Sequence, residues 1–183
     1  MMVKTLHGEV AHDVMEKFAK IKLLVCDVDG VFSDGRIYLG NNGEELKAFH
    51  TRDGFGFKAI KRIGIQTAVI TGRKSTLVEQ RMSSLNTTFI VQGCEQKQEV
   101  LQKLMDENGY NTEHVASMGD DVPDIGMFSL SGLGIAVADA HPLVLQKADW
   151  VTRAKGGFGA VREVCDLLLA ANNALDDFSG VSG

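Results

Sequence analysis

No pair of cysteines in this chain has CxxC spacing, and the count of three (Cys26, Cys94 and Cys165) is odd. That pattern suits a reducing compartment better than a disulfide scaffold. Cys26 and Cys165 lie in apolar segments and read as small core residues. No apolar run is long enough to span a bilayer. Met1 to Lys20 mixes charges where a signal peptide needs an unbroken apolar core. The expected location is therefore the cytoplasm, with no membrane partner. Positive charge is also in deficit: 19 Lys and Arg stand against 24 Asp and Glu, for a net charge of -5. Non-specific binding to nucleic acid favours the opposite sign, so no nucleic-acid partner is expected. There is no internal repeat and no low-complexity block. No GxxxxGK loop occurs either, so Gly156-Gly157 reads as a turn before the last helix.

What is present is ordinary globular material. The chain has 183 residues, 44% of them apolar and 23% charged, which suits a single domain spanning 1–183. Short apolar runs predict strands at Lys22 to Cys26, Gln66 to Ile70, Thr88 to Val91, Val115 to Met118 and Gly134 to Val137. Trp150 to Thr152 is a sixth candidate. Helical stripes lie between them. Leu77, Val78, Met82 and Leu85 share a face, with Thr76 and Glu79 spaced as a capping box. Val100, Leu101, Leu104 and Met105 form a second stripe, and Val161, Val164, Cys165 and Leu168 a third. Alternating strands and helices predict an α/β fold with a doubly wound parallel sheet. One segment interrupts the alternation. RIYL and ELKAF flank Gly40-Asn41-Asn42-Gly43, a hairpin signal over about 36–50. Residues from about 173 to 183 are small and polar and predict a mobile tail.

Open parallel sheets bind ligands at the carboxyl ends of their strands, so the residues that follow each predicted strand carry the chemical information. The first strand is followed by Asp27-Val28-Asp29-Gly30. The second gives Thr71-Gly72-Arg73, the third is followed by Lys97, and the fourth gives Gly119-Asp120-Asp121 with Asp124 behind. Asp27 and Asp29, two apart, face the same way in extended chain. With Asp120 they make three hard oxygen ligands of the kind Mg²⁺ takes. Such an ion neutralises the repulsion between a carboxylate nucleophile and a phosphate dianion. Lys97 adds charge, and the Thr71 hydroxyl can hold phosphate oxygens. Asp27 then suits a covalent nucleophile and Asp29 an acid/base. Each residue alone has a plainer reading. An Asp after a strand commonly caps a helix or turn. Lys97 alone reads as a solvated charge and Arg81 as a surface residue beside Glu79. Asp121 and Asp124 could each cap the next helix. Capping, however, does not require four successive strand ends to carry these residues.

DVDGV, TGR, Lys97 and GDDxxD together resemble the four motifs of the haloacid dehalogenase superfamily, over residues 22 to 152. The resemblance implies that Asp27 is the nucleophile, Asp29 the acid/base and Asp120 a metal ligand, supported by Asp121 or Asp124. Longer stretches, DVDGVFSDGRIYLGNNGEELKAFHTRDGFG, ITGRKSTLVEQR, AVADAHPL and GAVREVCDLLL, are similar to the 3-deoxy-D-manno-octulosonate-8-phosphate phosphatase family. That similarity implies a Mg²⁺-dependent monoesterase acting on a phosphorylated sugar acid in lipopolysaccharide inner-core synthesis. It also implies substrate contacts from Asp29, His50, Thr51, Arg52, Asp53, Gly54, Lys58, Arg73, Arg81 and Lys97. In the GGxGAVRE segment this chain has Phe158 where members of the family often carry Arg. Neither the hairpin insert nor the stretch from Thr71 to Lys97 has room for a cap domain. An isolated hairpin is marginal and exposes its edges. Pairing with other copies would cover it, and the resembled family is tetrameric through such hairpins. Two other readings stay open. One is a phosphatase for a nine-carbon sugar-acid 9-phosphate. The other is a non-catalytic partner of a sugar-nucleotide synthetase.

Overall fold

The structure, a computed structural model, describes residues 1–178. The chain opens with a hairpin of β1 (Met2–Thr5) and β2 (Gly8–Ala11), followed by α1 (His12–Lys20). Next come β3 (Leu23–Cys26), the flap strands β4 (Tyr38–Leu39) and β5 (Glu45–Leu46), α2 (Thr51–Arg62) and β6 (Gln66–Thr71). After α3 (Thr76–Ser84), β7 (Phe89–Gln92) and α4 (Lys97–Asn108) come β8 (Val115–Gly119), α5 (Ile125–Phe128) and β9 (Leu133–Ala136). The last elements used below are α6 (Pro142–Lys147), β10 (Trp150–Val151) and α7 (Ala160–Ala171).

Six strands form one parallel sheet in the order β10-β9-β8-β3-β6-β7. β3 sits between β6 and β8, with Leu23 paired to both Gln66 and Val115. The direction of winding reverses beside β3, so the crevice for a ligand opens at its carboxyl end. β3 is buried along its whole length, as a parallel strand covered on both faces must be. Its side chains alternate between two cores. Leu24 and Cys26 pack with Phe18 of α1, Phe57 and Ile60 of α2, and Val164 and Leu168 of α7. Leu23 and Val25 pack with Leu101 and Leu104 of α4 and Met127 of α5. Fully burying each such Leu contributes about 1.5–3 kcal/mol. These two apolar layers hold the rim still.

Each strand expected from an apolar run is present to within one residue at either end. The capping box expected at Thr76 and Glu79 does not form. Ser75 is the N-cap and makes no side-chain cap bond, while Glu79 accepts from Gln92 Nε2 at 2.9 Å. The flap is a separate two-stranded ribbon, not joined to the main sheet. It closes through Gly40 N–H to Glu44 O at 2.8 Å, with Gly43 at φ +85°. β1, β2 and α1 carry no apolar run and were not among the expected elements. Of the expected tail, residues 179–183 lie outside the described residues; before them, Leu175 and Phe178 pack against the core. Among the described residues, no helix is long and apolar enough to cross a membrane.

Candidate active site

The strand ends deliver their polar residues to one cleft of about 410 Å³, whose walls include Asp27, Asp29, Thr71, Arg73, Lys97 and Asp120. Asp27 remains tied to β8 through its backbone N–H, which donates to Met118 O at 3.1 Å. The chain then turns tightly, with the N–H groups of Val31, Phe32 and Ser33 all donating to Val28 O. Phe32 anchors this turn edge-on against Phe57 of α2, at 5.0 Å between centroids. Gly30 has φ +89°, and a Cβ there would fall 2.0 Å from Asp120 Oδ2. Only glycine lets Asp120 lie so close over the turn. Gly156 has a matching role: a Cβ on it would lie 1.7 Å from Gly30 O. The loop before α7 therefore buttresses the turn that carries Asp29.

Charge in the cleft is concentrated and out of balance. Lys97 Nζ lies 2.9 Å from Asp27 Oδ1 and 2.7 Å from Asp124 Oδ1, with all three side chains nearly buried. Burial disfavours the ammonium, but the two carboxylates outweigh it and raise the Lys97 pKa. Asp124 Oδ2 accepts from the backbone N–H groups of Asp120 (2.9 Å) and Asp121 (3.2 Å). Asp124 thus both fixes Lys97 and shapes the loop that presents Asp120. Asp121 is exposed and caps the next turn by accepting from Val122 N–H at 2.7 Å.

Asp27, Asp120 and Asp124 bring one carboxylate oxygen each within 4.8 Å of one another. One lysine cannot neutralise three acids. Burial, then repulsion from Asp124, pushes Asp27 from the ordinary 3.8 to about 6 despite Lys97. Burial, then repulsion from Asp27, Asp124 and Asp121, pushes Asp120 to about 8. Among the described residues, Asp120 Oδ1 is buried and accepts no hydrogen bond, and Asp27 Oδ1 has only the Lys97 ammonium beside it. Hard oxygen donors, surplus negative charge and orphaned lone pairs together fit a divalent cation such as Mg²⁺. The carboxylate of Asp29, expected among the metal ligands, is not in this cluster. Its Oδ1 is taken by Lys47 Nζ at 2.6 Å.

Lys47 is the residue that sequence reasoning missed. It follows β5 of the flap, and none of its side chain is exposed. Glu45, two residues earlier on the same face, lies 3.7 Å from Lys47 Nζ and 3.2 Å from Arg73 Nη2. The charged face of the flap therefore points into the site. The signal available in the sequence was the alternation of Glu45 and Lys47 with Leu46 and Ala48.

Other expected substrate contacts lie elsewhere on the chain. His50, Thr51, Arg52, Asp53, Gly54, Lys58 and Arg81 are not among the cleft walls. His50 caps α2 by accepting from Arg52 N–H at 3.2 Å. Asp53 is fully buried and caps α7 by accepting from Arg162 N–H at 2.9 Å. The Arg81 guanidinium passes over Gly54, where a Cβ would meet one of its nitrogens at 2.5 Å. Among the described residues, Arg81 Nε is buried without a partner. His114 and His141, read as structural, serve as helix-end caps.

Comparison with known proteins places this geometry in context. Residues 83–163 match the haloacid dehalogenase-like hydrolase family. The chain is 51% identical to the 3-deoxy-D-manno-octulosonate 8-phosphate phosphatase KdsC of Escherichia coli K12, over 97% of this chain and 95% of that one. The crystal structure of the Yersinia pestis phosphatase of the same name superposes with a TM-score of 0.94 at 49% identity, covering 96% of this chain and 95% of that one. The Moraxella catarrhalis phosphatase, crystallised with a magnesium ion, a phosphate ion and a KDO molecule, superposes with a TM-score of 0.90. It is 40% identical, covering 93% of this chain and 98% of that one.

Proposed function

The chain belongs to the 3-deoxy-D-manno-octulosonate 8-phosphate phosphatase family of haloacid dehalogenase-like hydrolases, and from that membership we propose how its residues work. It is a magnesium-dependent phosphomonoesterase that hydrolyses 3-deoxy-D-manno-octulosonate 8-phosphate to the free sugar acid and phosphate. Its place is lipopolysaccharide inner-core synthesis, in the cytoplasm. The carrying observation is the cluster of Asp27, Asp120 and Asp124 around Lys97 at the rim beside β3.

Asp27 and Asp120, with Asp124 close by, would hold Mg²⁺, and the ion would supply the positive charge that lets a carboxylate approach a phosphate dianion. Asp27 attacks phosphorus and forms an aspartyl-phosphate as the bond to the sugar oxygen breaks. Asp29 gives that oxygen a proton, then takes one from the water that hydrolyses the intermediate. Lys97 keeps Asp27 ionised and in place. The Thr71 hydroxyl, at the buried end of β6, holds a phosphate oxygen. Arg73 is free to leave Glu45 for the sugar's carboxylate, which would be costly to bury unpaired.

His50, Thr51, Arg52, Gly54, Lys58 and Arg81 then serve a neighbouring copy's cleft in a homo-oligomer, a tetramer. Two observations support that reading. Among the described residues, Arg81 Nε is buried without a partner. The outer flap residues Leu39 and Leu46 are 74% and 63% exposed. The test is a screen of phosphorylated sugar acids with Mg²⁺, combined with mixing of Asp27→Asn and Arg81→Ala subunits. Turnover of the eight-carbon 8-phosphate above all others, with activity regained in the mixture, is the expected result. Preference for a nine-carbon 9-phosphate would overturn the substrate. No rescue despite proven subunit exchange would overturn the shared site.

A further inference from the structure

The flap contributes one buried charge to the site, and it meets the residue that moves protons. Lys47 Nζ lies 2.6 Å from Asp29 Oδ1, with no part of the lysine side chain exposed. Asp29 keeps 19% of its side chain open and also walls the cleft. Its two oxygens are therefore not equivalent: Oδ1 is held by the flap, and among the described residues no hydrogen bond engages Oδ2. Burying a lysine this completely is unfavourable unless it is paired. A second carboxylate is near as well, with Glu45 Oε1 3.7 Å away. Glu45 is itself braced by Arg73 at 3.2 Å. The chain of charges runs from the turn after β3, through the flap, to the loop after β6. It sets the flap's height over the cleft and the rotation of the Asp29 carboxylate together.

We infer that Lys47 is a positioning residue for the acid/base: it ties Asp29 Oδ1 to the flap and leaves Oδ2 as the oxygen that exchanges protons. This rests on the phosphatase reading given above. In the first step a bond forms between an Asp27 oxygen and phosphorus while the bond from phosphorus to the leaving oxygen breaks. The electron pair departs with that oxygen, and the proton on Asp29 Oδ2 ends there. In the second step water gives its proton to Oδ2 and its oxygen to phosphorus. The bond to Asp27 then breaks, and the enzyme returns to its starting state. A carboxylate free to rotate would present either oxygen; one held by an ammonium presents one.

The experiment compares kcat/KM for an alkyl phosphate, whose leaving oxygen needs a proton, with that for p-nitrophenyl phosphate, whose leaving group departs as a stable anion. Wild type, Lys47→Met, Lys47→Arg, Asp29→Asn and the Lys47→Met/Asp29→Asn double variant are assayed with Mg²⁺. Lys47→Met should lower the alkyl value on the order of 10²-fold, the lower end of general-acid catalysis, and the aryl value far less. Lys47→Arg should recover most of the loss. On the Asp29→Asn background the second substitution should add nothing, because both act through one group. Equal losses on the two esters, or losses that multiply in the double variant, overturn the assignment. If Lys47→Met does not fold, as thermal unfolding would show, Lys47→Arg decides. Its displaced charge should cost the alkyl ester more than the aryl one, and equal effects again overturn the role. Wild type is assayed in parallel on 3-deoxy-D-manno-octulosonate 8-phosphate. Inertness there with activity on both simple esters sinks the substrate reading and leaves the role of Lys47 standing.

Discussion

The rim of the parallel sheet and the flap above it bury opposite kinds of side chain. At the rim, β3 is apolar and sealed on both faces, and charge appears only where the strand runs out, at Asp27. In the flap, Leu39 and Leu46 face outward while Lys47 is wholly covered. The rim is stable in one chain because two apolar layers hold it. The flap has no apolar layer of its own, and its inner contacts are ion pairs. A carboxylate array on a rigid base can be preorganised before substrate arrives. A ribbon held by a few charges can be displaced by another charged group.

The largest expected effect comes from the rim. Asp27→Asn should lower phosphatase turnover by about 10⁴-fold or more, as loss of a nucleophile does, while circular dichroism stays native. Near-normal rates, with mass spectrometry excluding deamidation, would remove Asp27 from the covalent step. Next, Lys97→Met leaves Asp27 and Asp124 facing each other without their cation. Breaking a buried pair costs about 3–5 kcal/mol, so urea unfolding without metal should show a loss of that order. Added Mg²⁺ should return more stability to this variant than to wild type.

A smaller effect concerns acidity. The folded-state pKa values of Asp27 (about 6) and Asp120 (about 8) lie above the ordinary 3.8. Between those limits the unfolded chain binds fewer protons than the folded one, so stability without metal falls as pH rises. The contribution is fully present below about pH 4 and is lost by about pH 8. The slope is on the order of 1 kcal/mol per pH unit. Thermal unfolding in chelator from pH 5 to 8 should show this decline, and saturating Mg²⁺ should flatten it. A chelated protein that gains stability over that range would mean the acids are already neutralised. The smallest effect on a single chain comes from the flap. Leu46→Glu should change chain stability by less than about 0.5 kcal/mol yet shift sedimentation toward smaller species. Sedimentation unchanged by the substitution would take the flap out of the proposed interface.

The sequence made the rim legible and the flap only half so. Continuous apolar runs such as Leu23–Cys26 can be read without tertiary information, because a strand sealed on both faces needs nothing else. The motif residues followed because they sit immediately after those runs. The opening hairpin escaped notice: Met2–Thr5 alternates exposed and partly covered positions and carries no apolar stripe. The apolar side of the flap was visible in Leu39 and Leu46, but the inward turn of Lys47 was not. A lysine between Leu46 and Ala48 looks solvated until the ribbon folds over Asp29. Asp53 was expected near substrate because of its motif, whereas its burial at the start of α7 depends on a contact 109 residues away. Asp124 was left beside Asp121 as an equal candidate; two backbone donors and Lys97 separate them.

Gly156 packs so closely on Gly30 O that it tolerates no β-carbon, and the contact has a temporal side. A ribosome delivers the nucleophile turn early and its buttress some 125 residues later, at an elongation rate of about 5–20 residues per second. For those several seconds the emerging polypeptide carries Asp27 and Asp29 on a turn whose backing does not yet exist. The order of synthesis thus puts the support for Asp27 and Asp29 among the last residues of the fold to be made.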